Sequence, residues 1–247
     1  MILKYMGVDV DKMLDNLEDY NYETNFDIED LRGGVCMGAV DLSQTTDLAC
    51  AKVLLMKPGD NHKYIYTRYF IPELKLDKVK NDKNAGANYL EWSQKGLIQV
   101  CEGNDIALSE VADWFRWLYE NYNIKLWKCG YDQKFSKEWI NRMNYHGWTK
   151  EDEELIMILQ NAQTLSNAMK LCEADLKNKL VIYGNNDVDK WCLGNAGIKV
   201  DINEMCLCVK REPNKRIDGA VTLIILYEMY RRYRTEFKQI IENGDSK

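Results

Sequence analysis

Between Val35 and Ile71 the chain runs through three apolar segments, VCMGAVDLS, DLACAKVLLM and KYIYTRYFI. Only QTT and KPGDNH separate them, and connections this short cannot carry a crossover helix. Neighbouring strands must therefore run antiparallel, which predicts a three-stranded meander. This one feature restricts the fold more than any other. It commits the chain to a sheet, and the remaining elements have to extend or cover it.

Beyond Ile71 the chain alternates helix-like and strand-like texture. NAGANYLEWSQKGL predicts a helix ending near Gly96, LIQVCEG a short strand, and SEVADWFRWLYENY an amphipathic helix with Ser109 as its N-cap. LWKCGYD reads as a buried strand, FSKEWINRMNYHG as a helix stopped by Gly147, ELIMILQ as strand, LSNAMKLCEADLKN as helix and LVIYG as strand. NDVDKWCLGNA is helical in pattern, IKVDI and MCLCV pair as a hairpin, and IDGAVTLIILYEMYRRYRTEF forms a long final helix. The class is α/β: a mixed sheet that starts with an antiparallel meander and is flanked by helices. Residues 1–33, acidic and tyrosine-rich with a weak helical pattern at Val10–Leu17, read as a leader or linker from a preceding region. The folded domain is expected over 34–240, with a flexible tail at 241–247.

With 46% hydrophobic residues in 247, the chain can bury a core of its own, and no apolar run approaches the roughly 20 residues that span a bilayer. A soluble, unsecreted protein is expected. Eight cysteines lack any C-x-x-C pair and only two histidines accompany them, so the reading is buried reduced thiols rather than zinc ligands. A net charge of −6 gives no global attraction to nucleic acid. Any contact with DNA must use local basic stretches, of which KLDKVKNDK, Lys125 to Lys137, KREPNKR and RRYR are the candidates.

Three aspartates stand where the backbone leaves an apolar segment. Asp41 ends the first strand, Asp132 ends a later central strand, and Asp218 opens the last helix. Sites in α/β sheets collect at strand ends, and carboxylates gathered there repel unless a divalent cation neutralises them. Oxygen ligands without nearby histidine or cysteine select magnesium or manganese, and two such ions would suit phosphodiester hydrolysis. The plain alternative is that Asp218 caps its helix and the other two sit in turns. Ser43 and Asp47 read as turn residues that could serve as auxiliary ligands.

The order of these elements resembles the ribonuclease H-like fold. GAVDLSQTTDLACA, CGYDQ, the stretch from ILQNAQTLSNAMK to WCLGNA, and KREPNKRIDGAVTLIILYE are similar, in order, to the nuclease motifs of tailed-phage terminase large subunits, over residues 30–235. The resemblance implies that Asp41 bridges two Mg²⁺ or Mn²⁺ ions and that Asp132 and Asp218 complete their shells. It implies that Lys210, Arg211, Lys215 and Arg216 position phosphates of double-stranded DNA. It also implies endonuclease activity on concatemeric phage DNA during packaging, in the host cytoplasm and transiently on the procapsid. The partners it implies are the terminase ATPase domain, the small subunit and the portal. Trp191, Asn195, Gln160 and Ser166 match family positions but read as structural. Two other readings stand beside this one: a recombinase or junction resolvase on the same fold, and a catalytically silent portal-docking module.

The chain contains no G-x-x-x-x-G-K-[ST] loop to cradle a nucleotide, so it reads as an excised nuclease domain or the C-terminal part of a split gene. The purified chain is accordingly expected to show no DNA-stimulated ATP hydrolysis above a heat-inactivated control, measured by phosphate release.

Overall fold

The computed structural model describes residues 25–44, 48–77 and 86–243. Strands β1 (Val35–Asp41), β2 (Ala49–Leu55) and β3 (Lys63–Pro72) form the expected meander, β1 antiparallel to β2 and β2 antiparallel to β3. Their apolar runs are nearly continuous because both sheet faces are covered. Every residue of β2 is buried, and only the ends of β1 are partly exposed.

The helices are α1 (Leu74–Asp77), α2 (Tyr89–Gln94), α3 (Leu108–Tyr122), α4 (Ser136–Tyr145), α5 (Ala162–Lys177), α6 (Asp187–Asn195) and α7 (Asp218–Asn243). Strands β4 (Ile98–Cys101), β5 (Lys125–Tyr131), β6 (Leu155–Met157) and β7 (Val181–Ile182) complete a seven-stranded mixed sheet in the order β4-β3-β2-β1-β5-β6, with β7 beside β3. A separate hairpin joins β8 (Ala196–Val200) to β9 (Cys206–Lys210).

Helices α3 and α4 cover one face of the sheet, with Phe115, Leu118, Trp139 and Met143 packed on Cys36, Val40 and Cys129. On the other face, α5 and α7 pack Leu165, Cys172, Ile225 and Met229 against Met37, Ala39 and Leu54. From Asp218 to Tyr230 helix α7 is buried all round, and after that only Phe237 is fully inside. Its approach to β5 requires Gly130: a Cβ there would lie 2.7 Å from Met229 Cγ. Buried Glu228 is neutralised within the same helix by Arg231 and Arg232, at 2.8 and 2.7 Å.

Several local details differ from the sequence expectation. Ser109 is not the N-cap of α3; that position is Ala107, and the Ser109 N–H donates instead to Glu138 Oε1 of α4 at 3.1 Å. A carboxylate from the next helix thus does the capping. Helix α5 begins before the predicted Leu165, because the Asn161 side chain accepts the Thr164 N–H at 2.9 Å and starts it at Ala162. Strands β6 and β7 are shorter than their apolar runs, each pairing along one side only. Of the expected leader, Val10–Leu17 lies outside the described residues, whereas Ile28 and Leu31 of a 3-10 turn are buried in the core. Among the described residues no helix is long and apolar enough to cross a membrane.

All eight cysteines are free, and seven are buried. Burial pushes the Cys101 thiol up to about 12, with the Glu110 charge adding to the effect. Thiol titration is therefore expected to label the native protein slowly, with Cys208 the first to react, and to count eight thiols once denaturant is added. Rapid labelling of several native thiols would contradict this packing.

Candidate active site

Strand β1 is parallel to β5 with Val40 beside Tyr131, and β5 is parallel to β6 with Tyr131 beside Met157. The three strands leave the sheet at one edge, delivering Asp41, Asp132 and Gln160 to the same place. Neighbouring strands lie about 4.8 Å apart, so Asp41 and Asp132 are adjacent by register. Strand alternation decides the face. Met37 and Ala39 lie in the cluster beneath α7, and Asp41, two residues on, points to that side as well. Helix α7 begins there with Asp218, only 7% exposed.

Asp41, Asp132 and Asp218 line one cavity of about 260 Å³, together with Ser43, Gln44, Lys134, Gln160 and Lys210. Gln160 Nε2 lies 3.4 Å from Asp41 Oδ1, and the Gln133 N–H donates to Asp132 Oδ1 at 2.8 Å. Among the described residues no group of three His, Cys, Asp or Glu is arranged to hold a metal ion as it stands. The carboxylates share a cavity without forming a finished cage.

Nearby thiols are held protonated. Burial, and then the charge of Asp41, pushes the Cys208 thiol up to about 12, and burial with the charge of Asp218 raises Cys192 well above its ordinary value. Soft thiolate ligation is thereby disfavoured, and the donors left at the cavity are oxygens and the amines of Lys134 and Lys210.

The segment from β9 to α7 is tied down by Asn195 at the end of α6. Its carbonyl accepts the Arg211 N–H and its Nδ2 donates to the Arg216 carbonyl, each at 3.1 Å. Of the four cations expected there, Lys210 lines the cavity, while Arg211, Lys215 and Arg216 lie along the segment outside it. Asn195 thus holds the approach to Asp218. Trp191 packs 5.2 Å from Trp92, centroid to centroid, and Ser166 Oγ accepts the Cys206 N–H at 3.1 Å. Asp47 lies outside the described residues. Lys134 was visible in the sequence only as part of a basic stretch, and Gln160 as a structural polar residue. The hint for both was position, each lying three residues beyond a strand of the parallel set.

The model of the terminase large subunit endonuclease domain matches residues 7–233. The chain belongs to this family. Protein YmfN of Escherichia coli strain K12 is 24% identical to this terminase nuclease chain over 209 residues, covering 80% of the chain and 44% of YmfN. The large terminase of bacteriophage HK97 superposes with a TM-score of 0.72 at 18% identity, over 86% of this chain and 42% of that one. The terminase nuclease of thermophilic phage G20c, in a crystal structure with bound magnesium, gives a TM-score of 0.53 at 9% identity, over 87% and 95% of the two chains. The fold is thus the ribonuclease H-like one of terminase nucleases, and the chain spans less than half the length of YmfN and of the HK97 protein.

Replacing Asn195 by alanine strands the Arg216 carbonyl and is expected to cost about 1–3 kcal/mol in urea unfolding. Hydrogen exchange at Arg216–Gly219 is expected to quicken in the same variant, while exchange in α3 stays unchanged.

Proposed function

We propose that this chain is a DNA endonuclease that cuts concatemeric phage DNA during genome packaging, using two Mg²⁺ or Mn²⁺ ions held by Asp41, Asp132 and Asp218. The observation that carries the reading is that these three carboxylates, drawn from β1, the end of β5 and the start of α7, line one cavity together with Lys210. The donor chemistry fits hard divalent cations, because carboxylate and amide oxygens line the cavity and the thiols nearby stay protonated. When bound, such ions activate water and stabilise the oxygen that leaves the phosphodiester.

The chain's own groups divide the remaining work. Asp218, set in a buried helix start, gives the cavity a fixed negative wall, and Gln160 beside Asp41 restrains the carboxylate on β1. Lys210 and Lys134 present ammonium groups that draw a scissile phosphate into an otherwise acidic site. Arg211, Lys215 and Arg216 extend this charge along the segment leading away from it, where flanking phosphates of double-stranded DNA would pass. With a net charge of −6, binding relies on such local contacts and weakens steeply with salt. By family, the partners would be the terminase ATPase domain, the small subunit and the portal, with the protein in the host cytoplasm and transiently on the procapsid.

Asp218→Asn separates this reading from simple helix capping, since asparagine caps about as well as aspartate. Plasmid nicking by the wild type is expected to require Mg²⁺ or Mn²⁺ and to stop in EDTA. The Asn variant should melt, metal-free, at or slightly above the wild-type temperature while nicking falls about 100-fold, close to 2.7 kcal/mol in the barrier. Undiminished nicking by a folded Asp218→Asn protein, or full activity in chelator, would refute the assignment.

A further inference from the structure

A second polar cluster lies beneath the site, sealed from solvent and unused by the chemistry above. Asp189 of α6, 4% exposed, accepts hydrogen bonds from Lys52 Nζ of β2, from Thr67 Oγ1 at 2.9 Å and from the Tyr69 hydroxyl of β3. Lys52 Nζ also donates to Thr67 Oγ1 at 2.9 Å, and Asn186 caps the helix by accepting the Asp189 N–H at 3.2 Å. With its single proton given to Asp189, the Tyr69 hydroxyl has a fixed position. That position is against helix α7. A Cβ built on Gly219 would lie 1.9 Å from the Tyr69 hydroxyl oxygen, 2.9 Å from its Cζ and 3.2 Å from Cys192 Cβ. Nothing larger than glycine fits, so the first turn of α7 rests directly on the tyrosine hydroxyl. The next residue back is Asp218.

We propose that Tyr69 is a positioning residue for Asp218: its hydroxyl, anchored by the Asp189–Lys52 pair, sets the height of the first turn of α7 and so the placement of the Asp218 carboxylate in the cavity. The inference rests on the metal-binding role proposed for Asp218. A buried ion pair adds little net stability over an apolar filling of the same shape, but it is directional, and a hydroxyl held by it is a hard stop rather than a slippery contact. Gly219 is the matching half of the device, because only a bare backbone can sit on that oxygen.

The test uses Tyr69→Phe, Gly219→Ala, the double variant and Asp218→Asn, each followed by metal-free melting, calorimetric Mn²⁺ titration and plasmid nicking. Tyr69→Phe keeps the ring and leaves Asp189 two donors, so the protein should fold with a small loss in melting temperature. Its Mn²⁺ affinity is expected to fall about tenfold, as when a partner that orients a metal ligand is lost. Gly219→Ala drives α7 off its seat and should lose more. In the double variant the hydroxyl oxygen at 1.9 Å is gone and the nearest atom is Cζ at 2.9 Å, so Mn²⁺ affinity and nicking should recover severalfold over Gly219→Ala alone. Folded Tyr69→Phe protein that binds Mn²⁺ like the wild type, or a double variant no better than Gly219→Ala, overturns the proposal. If Gly219→Ala does not fold, Tyr69→Phe decides by itself. Should Asp218→Asn keep wild-type Mn²⁺ affinity and nicking, it is the underlying metal reading that fails; if Asp218→Asn loses both and the Tyr69 variant loses neither, only the positioning role fails.

Discussion

Lys52 and Lys63 carry their ammonium groups inside this protein, and their need for counter-charges organises the helical layer around them. Lys52 is 1% exposed and Lys63 5%, both on the sheet face that α5, α6 and α7 cover. An unpaired cation there would cost several kcal/mol, so each must meet a carboxylate brought from outside the sheet. Asp189 of α6 meets Lys52, and Asp175 of α5 meets Lys63 at 2.9 Å while accepting the Tyr227 hydroxyl of α7 at 3.1 Å. Hydrophobic burial presses three helices onto the sheet without regard to direction. The two ion pairs remove that freedom: α5 and α6 are each tied to a particular strand position, and α7 is tied to α5 through Tyr227.

The cavity inherits its precision from this arrangement. Its floor is the edge where parallel strands β1 and β5 end in register, and one wall is the start of α7. The floor is rigid because the central strands are paired on both sides. The wall is a helix end, which by itself could slide along the sheet by a fraction of a turn. Gly130 admits the middle of α7 to β5, Gly219 seats its first turn on Tyr69, and Asn195 restrains the chain that leads into it.

Much of the architecture was legible from residue order. The apolar runs from Val35 to Ile71 gave a meander because short connections leave no other pairing, and Asp41, Asp132 and Asp218 were visible because each interrupts or ends an apolar run. The caps were less legible: Ser109 looks like an N-cap, but Glu138, 29 residues later, takes its amide. Gln160 and Lys134 could not be singled out because strand ends are marked by pairing, and pairing is not local. The buried network was hidden most deeply. Lys52 is one charge within ACAKVLL, and its partner Asp189 lies 137 residues away. In sequence each looks like an ordinary surface charge; only the folded topology makes them neighbours.

The lining of the cavity runs from position 41 to position 221, so no short continuous fragment of the domain contains it. During synthesis the strand carrying Asp41 and the strand preceding Asp132 emerge well before α7, and until that helix docks, the third wall is missing. A nuclease would harm the cell that makes it if a half-made chain were competent to cut. Placing the closing carboxylate on an element that emerges after the whole sheet ties the appearance of the cavity to completion of the fold. On the metal-binding reading proposed above, a ribosome-bound or truncated chain lacking α7 would lack the third carboxylate.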